Sequence, residues 1–235
     1  MVGFGTGIYS TREAAALLRE RPTAVRRWAY GYERLRGGEP VRYPALIRTE
    51  LPPVDGERAL TFVELVELLY IAAFRRAGAT WRTIREAAEV ASRLFGSAHP
   101  FALRQLFVDA ERILYGAVRE VDGSESLVEL RGDGQQAFPT ILAPYLDQLE
   151  FGVDDVAARW WPLGRDGGIV VDPAIGFGAP RVEAAGMQAE TLWTAYDAEE
   201  KVHGRGAAER VAWAYGVAPE SVHTALRFRR WLRAA

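Results

Sequence analysis

The chain has 235 residues, of which 49% are hydrophobic, and a formal net charge of −2 at pH 7. This near-neutral balance excludes a protein that coats nucleic acid through bulk charge, and the absence of cysteine excludes disulfides and thiolate metal sites. The sequence shows no leader-like segment and no long uncharged apolar run, so we expect no membrane span and a cytoplasmic location. The length suits a globular protein of more than one domain.

The N-terminal segment predicts a helix-turn-helix. Ser10 followed by Glu13 is a capping-box pattern, and a first helix rich in alanine and leucine follows it. Pro22 fits the first turn of a second helix, in which Val25 and Trp28 would face inward. Residues 1–36 hold seven arginines against three glutamates, a local excess that suits a DNA reader. The predicted DNA-contacting residues of these helices are Arg12, Thr23, Ala24, Arg26, Arg27 and Tyr30. An ordinary helical hairpin with a solvated arginine face is the alternative.

A small wing is expected to complete a first domain over residues 1–58. Gly37-Gly38 would close the helix-turn-helix. The short runs Val41-Arg42-Tyr43 and Leu46-Ile47-Arg48, with turn residues at Pro52-Pro53 and Asp55-Gly56, then indicate a hairpin. A wing beside a helix-turn-helix commonly adds phosphate or minor-groove contacts. Arg42 and Arg48 are therefore secondary DNA-binding candidates, although solvated strand positions explain them equally well.

A central region, residues 59–165, is expected to be helical at first and mixed afterwards. Apolar residues recur at helical spacing from Phe62 to Ala73, and Trp81 begins a second helix. Asp122-Gly123 between two apolar runs indicates a hairpin, and residues 137–149 could form a short helix. Three aromatic residues of the first part could line a ligand pocket, but core packing explains them better: Tyr70, Phe74 and Trp81.

The C-terminal region, residues 166–235, predicts a strand followed by three helices. The strand is Ile169-Val170-Val171, and the helical segments cover residues 190–200, 206–215 and 219–233. Gly216 ends the second helix and Pro219 begins the third, so this pair is again shaped like a helix-turn-helix. The predicted fold class is mainly α with small β elements.

No catalytic or cofactor site is expected. The three histidines, His99, His203 and His223, lie far apart and lack the four-residue spacing of a metal-ligand pair. The glycine-rich residues 3–7 and 176–178 lack the strand and lysine context that phosphate-binding motifs require. We therefore expect a binding protein without metal or cofactor, not an enzyme.

Two segments resemble known families. Residues 9–15 and 25–28 resemble the reading head of MerR-type winged regulators, with an aromatic residue, a cap, an alanine-rich helix and a hydrophobic-Arg-aromatic recognition helix. Residues 169–182, Thr191-Leu192 and the terminal helices are similar to a small domain, long of unknown function, found in antitoxins that pair with PIN-like toxins in VapBC-like systems. Leu60–Leu68 and residues 96–101 also resemble the longer antitoxins that carry both ends.

The resemblance implies a VapB-like type II antitoxin, which binds operator DNA to repress its own operon and neutralises a PIN-like ribonuclease toxin. Such a nuclease gathers carboxylates around a divalent cation, and an inserted guanidinium could neutralise that cluster. The expected toxin-contacting residues are Arg227, Phe228, Arg229, Arg230, Trp231 and Arg233, with the two aromatic residues as apolar anchors. Cations at a helix C-terminus are also favoured by the helix dipole alone.

The sequence also predicts an oligomeric state, and it leaves two alternative functions open. Operators are commonly read by two-fold symmetric dimers, so a homodimer is expected. A MerR-like, ligand-responsive transcriptional regulator is the alternative function. An adaptor without DNA affinity is the third.

Overall fold

The computed structural model describes residues 6–53, 57–108 and 137–234. The described residues fall into two units: an N-terminal unit within residues 8–146 and 150–157, and a C-terminal unit that takes in residues 6–7, 147–149 and 158–234. The fold is mainly α with small β elements, as the sequence predicted. The three-part division at residues 58 and 165 stays a prediction.

The N-terminal unit consists of helices and two small antiparallel strand pairs. Its helices are α1 (Thr11–Leu18), α2 (Pro22–Tyr30), α3 (Phe62–Arg76), α4 (Trp81–Phe95), α5 (Gln105–Val108) and α6 (Ala137–Leu146), with a 3₁₀ turn at Pro100–Ala102. Strand β1 (Tyr9–Ser10) pairs with β4 (Ala59–Leu60), and β2 (Tyr32–Arg36) pairs with β3 (Glu39–Tyr43). The hairpin predicted around Asp122-Gly123 lies outside the described residues.

Helix α3 forms the centre of the N-terminal core. Between Phe62 and Phe74 every residue except Val63 is buried, and α1, α2 and α4 all pack against this helix. Tyr70 and Phe74 are core residues, because their rings meet Phe107 and Phe101 edge to face. The apolar repeat seen in the sequence therefore marks a helix that is covered on nearly all sides.

Trp81 differs from those two aromatic residues. Its side chain is partly exposed and lies beneath the guanidinium of Arg75, with Cζ 4.2 Å from the ring centroid. The ring of Trp28 in α2 also packs against the Trp81 ring, at a centroid distance of 5.6 Å. Trp81 thus fixes α2 and the end of α3 to the start of α4.

The C-terminal unit combines a small sheet with three helices. Strands β7 (Ile169–Val170), β8 (Arg181–Val182) and β9 (Met187–Gln188) form an antiparallel sheet, and helices α7 (Ala189–His203), α8 (Ala207–Tyr215) and α9 (Pro219–Arg233) follow. The predicted three helices are confirmed, with α7 three residues longer at its C-terminal end. The core side chains of these helices are Leu192, Val211, Val222, Ala225 and Phe228.

The remaining short strands lie between α6 and β7 in the sequence. Strand β5 (Leu149–Phe151) pairs with β6 (Ala157–Trp160). Among the described residues, no helix has the length and apolar character needed to cross a membrane.

Candidate functional site

Helices α1 and α2 form the predicted helix-turn-helix, and backbone caps define its turn. The Ser10 N–H donates to Glu13 Oε2 at 2.7 Å and the Glu13 N–H donates to Ser10 Oγ at 3.2 Å, which is the expected capping box. Arg19 ends α1 in the left-handed conformation, with φ of 55°. The Glu20 N–H then donates to the Ala15 carbonyl at 2.9 Å, and Pro22 begins α2. The local signals in the sequence were sufficient to place both helices.

The turn is also held by α3. Arg76 Nη2 donates to the carbonyl oxygen of Leu18 at 2.5 Å and forms an ion pair with Glu20 at 3.1 Å. One guanidinium therefore satisfies a carbonyl at the end of α1 and fixes the turn residue beside it. This contact joins residues 56 to 58 positions apart, so the sequence pattern could not reveal it.

Helix α2 presents its arginines to solvent. Val25 and Trp28 are buried, as predicted. Thr23, Arg26 and Arg27 are exposed, and Ala24, like them a predicted DNA contact, is half-buried. Arg12 of α1 is also exposed.

Tyr30 lies in a different environment from the one predicted. It is half-buried rather than outward-facing, and its hydroxyl donates to the Ala59 carbonyl at 3.2 Å. The guanidinium of Arg58 lies over its ring at 4.7 Å. Burial raises the pKa of Tyr30, with the nearby charge of Glu64 acting in the same direction. Tyr30 therefore ties the end of α2 to strand β4.

The wing is formed by β2 and β3. The predicted run Val41-Arg42-Tyr43 lies in β3, whereas its partner strand β2 comes before the two glycines. Residues 32–36 pair with residues 39–43. Gly37 and Gly38, expected to close the helix-turn-helix, are instead the two turn residues of this hairpin. Their φ angles of 61° and 91° are both positive, as a type I′ hairpin turn requires. The second predicted run, residues 46–48, forms no strand, so this part of the predicted wing is wrong.

A glycine allows the wing to approach α2. Gly31 caps α2 with φ of 71° and ψ of −178°, a conformation essentially restricted to glycine. A Cβ atom at this position would lie 2.5 Å from the Tyr43 carbonyl oxygen and 2.9 Å from the Ala45 nitrogen. The Leu46 N–H donates to the Trp28 carbonyl at 2.8 Å. Both ends of the wing are therefore fixed at the C-terminus of α2.

An aromatic stack connects the wing to the recognition helix. Tyr32 and Tyr43 stack with a centroid distance of 4.6 Å and an interplanar angle of 8°. Arg27 lies over Tyr32, with Cζ 5.0 Å from the ring centroid, a cation–π geometry. Because side chains alternate along a strand, Arg34 and Arg36 share the hairpin face of Tyr32.

The two wing arginines that share this face, Arg34 and Arg36, were not predicted as DNA contacts. The predicted Arg42 is exposed but lies on the opposite hairpin face, across from Glu33. Arg48 is exposed in the segment after the wing. The Gly37-Gly38 pair could have predicted them, because a two-glycine turn fixes the pairing register of the hairpin and therefore which side chains share a face.

The arginine-rich end of α9 is divided between surface and core. Arg227, Arg230 and Arg233 are exposed, and Arg227 Nη2 donates to Thr224 Oγ1 at 2.8 Å. Trp231 is half-buried and stacks on Phe228 with a centroid distance of 5.7 Å. Three of the six predicted toxin-contacting residues thus lie fully on the surface.

Two of the six are engaged inside the unit, which corrects their expected accessibility. Phe228 has no exposed surface and packs between Trp193 and Trp231, so a partner on the surface cannot touch it. Arg229 forms an ion pair with Asp197 at 2.5 Å. The helical spacing of Val222, Ala225 and Phe228 places all three on the buried face of α9.

One exposed aromatic residue was not selected from the sequence. Trp213 of α8 is 87% exposed and lies away from the buried Ala208, Val211 and Ala212. The helical spacing could have predicted this exposure, because it places Trp213 opposite those three residues. An exposed tryptophan of this kind is common at protein interfaces.

Comparisons with known proteins agree with this geometry. Residues 7–88, which span the helix-turn-helix, the wing, α3 and the first half of α4, match the model of a family described as "Putative DNA-binding HTH domain". The crystal structure of Rv2018 from Mycobacterium tuberculosis superposes with a TM-score of 0.71 at 26% identity. The match covers 96% of this chain and 99% of that one.

A curated relative extends the match to nearly the whole chain. The protein named "Putative antitoxin VapB45" from Mycobacterium tuberculosis (strain ATCC 25618 / H37Rv) is 30% identical over 231 residues, covering 95% of this chain and 94% of its own length. Together with the helix-turn-helix family, this relationship points to a regulator rather than an enzyme. The chain belongs to the family of the VapB45 antitoxin and carries a helix-turn-helix domain of a DNA-binding type.

Proposed function

We propose that this protein is the antitoxin of a type II toxin–antitoxin system, which represses its own operon and neutralises a PIN-like ribonuclease. The observation that carries the proposal is the pair of exposed arginines on α2 beside an arginine-bearing wing, in a chain similar to an antitoxin along 95% of its length. As an operon repressor it would act in the cytoplasm as a homodimer on a two-fold symmetric operator.

The DNA-binding surface is proposed to combine α2 with one face of the wing. Arg26 and Arg27 are placed to reach base edges or phosphates, because arginine pairs with guanine through two hydrogen bonds. Arg34 and Arg36 would contact phosphates beside them. Over residues 6–53 nine arginines face five glutamates, so this part of a near-neutral chain attracts DNA. Arg12, Thr23, Ala24, Arg42 and Arg48 remain secondary candidates.

The toxin-binding surface is proposed to be the exposed side of α9. Arg227, Arg230 and Arg233 follow one another at three-residue spacing, so their guanidinium groups lie along one side of the helix. A cluster of metal-binding carboxylates in a PIN-like nuclease would accept such groups through charge-assisted hydrogen bonds. Trp231 is the apolar neighbour that stays partly accessible, and Trp213 is a second exposed anchor.

The MerR-like regulator is the weaker proposal. It needs an effector pocket in the central region, and two of the three aromatic residues expected to line one, Tyr70 and Phe74, are packed in the core. The resemblance to MerR-type heads concerns the helix-turn-helix alone, which an operon repressor also needs.

The experiment has one arm for each activity. Promoter DNA of the chain's own gene is titrated with the protein at increasing salt, and a specific, salt-dependent shift is expected. The protein is also co-expressed with the product of a small adjacent nuclease gene. Association and loss of RNase activity are expected with the unaltered chain and with Arg205→Ala, an exposed control. Both are expected to be lost with Arg227→Ala/Arg230→Ala/Arg233→Ala. A chain that shifts no DNA refutes the repressor, and one that leaves the nuclease active refutes the antitoxin.

A further inference from the structure

A polar cluster inside the N-terminal unit joins three segments that are distant in sequence. His99 Nδ1 lies 2.8 Å from Glu67 Oε2 of α3, and His99 Nε2 lies 3.0 Å from Glu50 Oε1 in the segment after the wing. The Glu50 N–H donates to Glu64 Oε1 at 2.5 Å. Glu64 also caps the start of α3 through its other oxygen. The imidazole therefore bridges two carboxylates from opposite sides.

Most of this cluster is shielded from water. Glu64, Glu67 and His99 are buried, whereas the Glu50 side chain is 55% exposed. Burial disfavours a charged imidazole, but the hydrogen bonds and charges of Glu67 and Glu50 outweigh it and raise the pKa of His99 to about 9. Burial raises the pKa of Glu67, and its hydrogen bond with His99 opposes that rise. Both ring nitrogens then donate, one to each carboxylate.

The segment that Glu50 belongs to connects the wing to the core. The wing itself has almost no buried surface; Leu35 near its turn is 70% exposed. After β3 the chain is held at the Pro44 carbonyl by Arg85 Nη2 at 3.3 Å, at the Leu46 N–H by the Trp28 carbonyl, and at Glu50 by the cluster. Glu50 is the last of these three attachments.

We propose that His99 is a positioning residue for DNA binding, which holds the wing against the recognition helix by clamping Glu50 onto α3. The proposal rests on the helix-turn-helix as the DNA-binding element. Without the His99 contact, the segment after the wing keeps the Leu46 and Glu50 N–H bonds, the Arg85 bond to the Pro44 carbonyl and the buried Ile47, but the Glu50 side chain no longer ties it to α3 through Glu67. Arg34 and Arg36 would then sample many positions relative to Arg26 and Arg27, and ordering them on DNA would cost entropy.

The location of His99 gives the clamp a second consequence. The matching helix-turn-helix family covers residues 7–88, so His99 lies beyond the domain whose wing it holds. It is the residue before the 3₁₀ turn Pro100–Ala102, in which Phe101 and Ala102 are buried against α3 and α4. A displacement of that turn would move the imidazole and release Glu50. The clamp thus makes the wing sensitive to the segment that follows α4.

Two variants test the clamp, and neither alters a proposed DNA contact. His99→Gln cannot bridge both carboxylates. Glu50→Gln replaces the ion pair of a mostly exposed side chain by, at most, a neutral hydrogen bond, so it weakens the clamp while leaving no buried group without a partner, and it is expected to fold even if His99→Gln does not. Each is expected to bind promoter DNA about five-fold more weakly than the unaltered chain, the size of one partly exposed ion pair. The double variant is expected to lose no more than His99→Gln alone, since that variant already removes the contact that Glu50→Gln weakens. His203→Gln, at an exposed histidine of α7, is the matched control.

A distance measurement separates positioning from a general loss of stability. The chain has no cysteine, so spin labels can be attached at Leu35→Cys on the wing and Thr23→Cys on α2. Pulsed electron–electron double resonance between the two labels is expected to give a narrow distance distribution in the otherwise unaltered, DNA-free protein and in His203→Gln. The distribution should broaden in His99→Gln and Glu50→Gln at temperatures where circular dichroism shows them folded. Unchanged distributions, or unchanged DNA affinity with a broadened distribution, overturn the proposal. If the unaltered chain binds no DNA, the repressor function fails, while the distance measurement still decides whether the clamp holds the wing.

Discussion

The two helix pairs at the ends of the chain share one turn geometry. In each, a three-residue turn starts with a left-handed residue, Arg19 or Gly216, and a proline begins the next helix. The second turn residue donates to a carbonyl five positions earlier at 2.9 Å in both cases. Val25 and Val222 are buried at matching positions, and so are Trp28 and Ala225. The same backbone solution therefore recurs in two units with unrelated surroundings.

The side chains on this common frame differ. At the first exposed positions α2 carries Thr23 and Arg26, whereas α9 carries Glu220 and His223. A carboxylate repels phosphates, so α9 is a poor match for a DNA groove at the end that helix-turn-helix proteins insert. A shared backbone does not imply a shared ligand, because the exposed residues decide what is bound.

The largest expected effect tests the core of the C-terminal pair. Phe228→Ala should lower the free energy of unfolding by about 3–5 kcal/mol, because it removes a buried aromatic side chain and leaves a cavity. Urea unfolding followed by tryptophan fluorescence measures this. Arg227→Ala, at the exposed neighbouring position, should change stability by less than about 0.5 kcal/mol. If Phe228→Ala is as stable as the unaltered chain and loses only a partner, the residue is an anchor after all and the burial of α9 is misassigned.

The next largest effect tests whether α2 and α9 differ in DNA binding. Arg26→Ala/Arg27→Ala should weaken promoter binding by about ten- to a hundred-fold and flatten the salt dependence by about one to two units. Arg227→Ala/Arg230→Ala should leave both quantities unchanged within about two-fold, since α9 is proposed to bind the toxin and not DNA. Fluorescence anisotropy at several salt concentrations gives the affinity and the slope together. Equal losses in the two variants would make both pairs DNA-binding and remove the functional difference between them.

The sequence predicted the shared frame well, because its determinants are local. A capping box, the prolines at the starts of α2 and α9, and apolar residues at helical spacing each act within one turn of helix. Phe228 was misassigned although the same spacing, applied to Val222 and Ala225, places it inward. Its arginine neighbours indicated an exposed binding surface, whereas the helical spacing alone indicated a buried position.

The wing and the clamp were harder to predict for different reasons. Strands β2 and β3 are exposed on both faces, so they lack the apolar alternation that identifies a half-buried strand. Glu50, Glu67 and His99 meet only because α3 and α4 pack as they do, across separations of 32 and 49 residues. Neither arrangement has a local pattern, and the buried histidine could not be distinguished from the two exposed ones by sequence.

The N-terminal helix pair differs from the C-terminal pair in the wing that lies close to α2. One added methyl group at Gly31 should disturb this approach. Gly31→Ala should cost about 2–3 kcal/mol of stability, or displace the wing, because the new Cβ would clash with the Tyr43 carbonyl in a backbone conformation that alanine avoids. Promoter affinity should fall at the same time. Gly38→Ala, at the open end of the same hairpin, is the control for a positive φ without a clash and should cost about 1 kcal/mol. Equal costs for the two variants would mean that the wing does not need to lie against α2.

The charged clamp should make the N-terminal unit sensitive to pH. The pKa of His99 is raised from 6.5 to about 9, so its stabilising effect is complete below pH 6.5 and is lost as the pH rises through 9. The carboxylates facing the ring are Glu67 and Glu50, with Glu64 next to them. Because solvent screens Glu50, we expect a loss of about 1–2 kcal/mol between pH 6.5 and 9.5. Urea unfolding across this range should show the decline in the unaltered chain and a flatter profile in His99→Gln. Parallel profiles would mean that the histidine is neutral in the folded protein.

The smallest effect tests whether the two turns are equivalent. Gly216 occupies the position of Arg19, with φ of 66° and ψ of 31°, and no atom lies within 4 Å of the site where a Cβ would be placed. Arg19 shows that an arginine can adopt this conformation in the N-terminal turn. Gly216→Arg should therefore fold normally and cost only about 1 kcal/mol, the ordinary penalty for a side chain in the left-handed region. Gly216→Asn should cost less, since asparagine tolerates that region better. Thermal unfolding of both variants measures the difference. A loss above about 3 kcal/mol for Gly216→Arg would show that the C-terminal turn depends on glycine for a reason the N-terminal turn does not share.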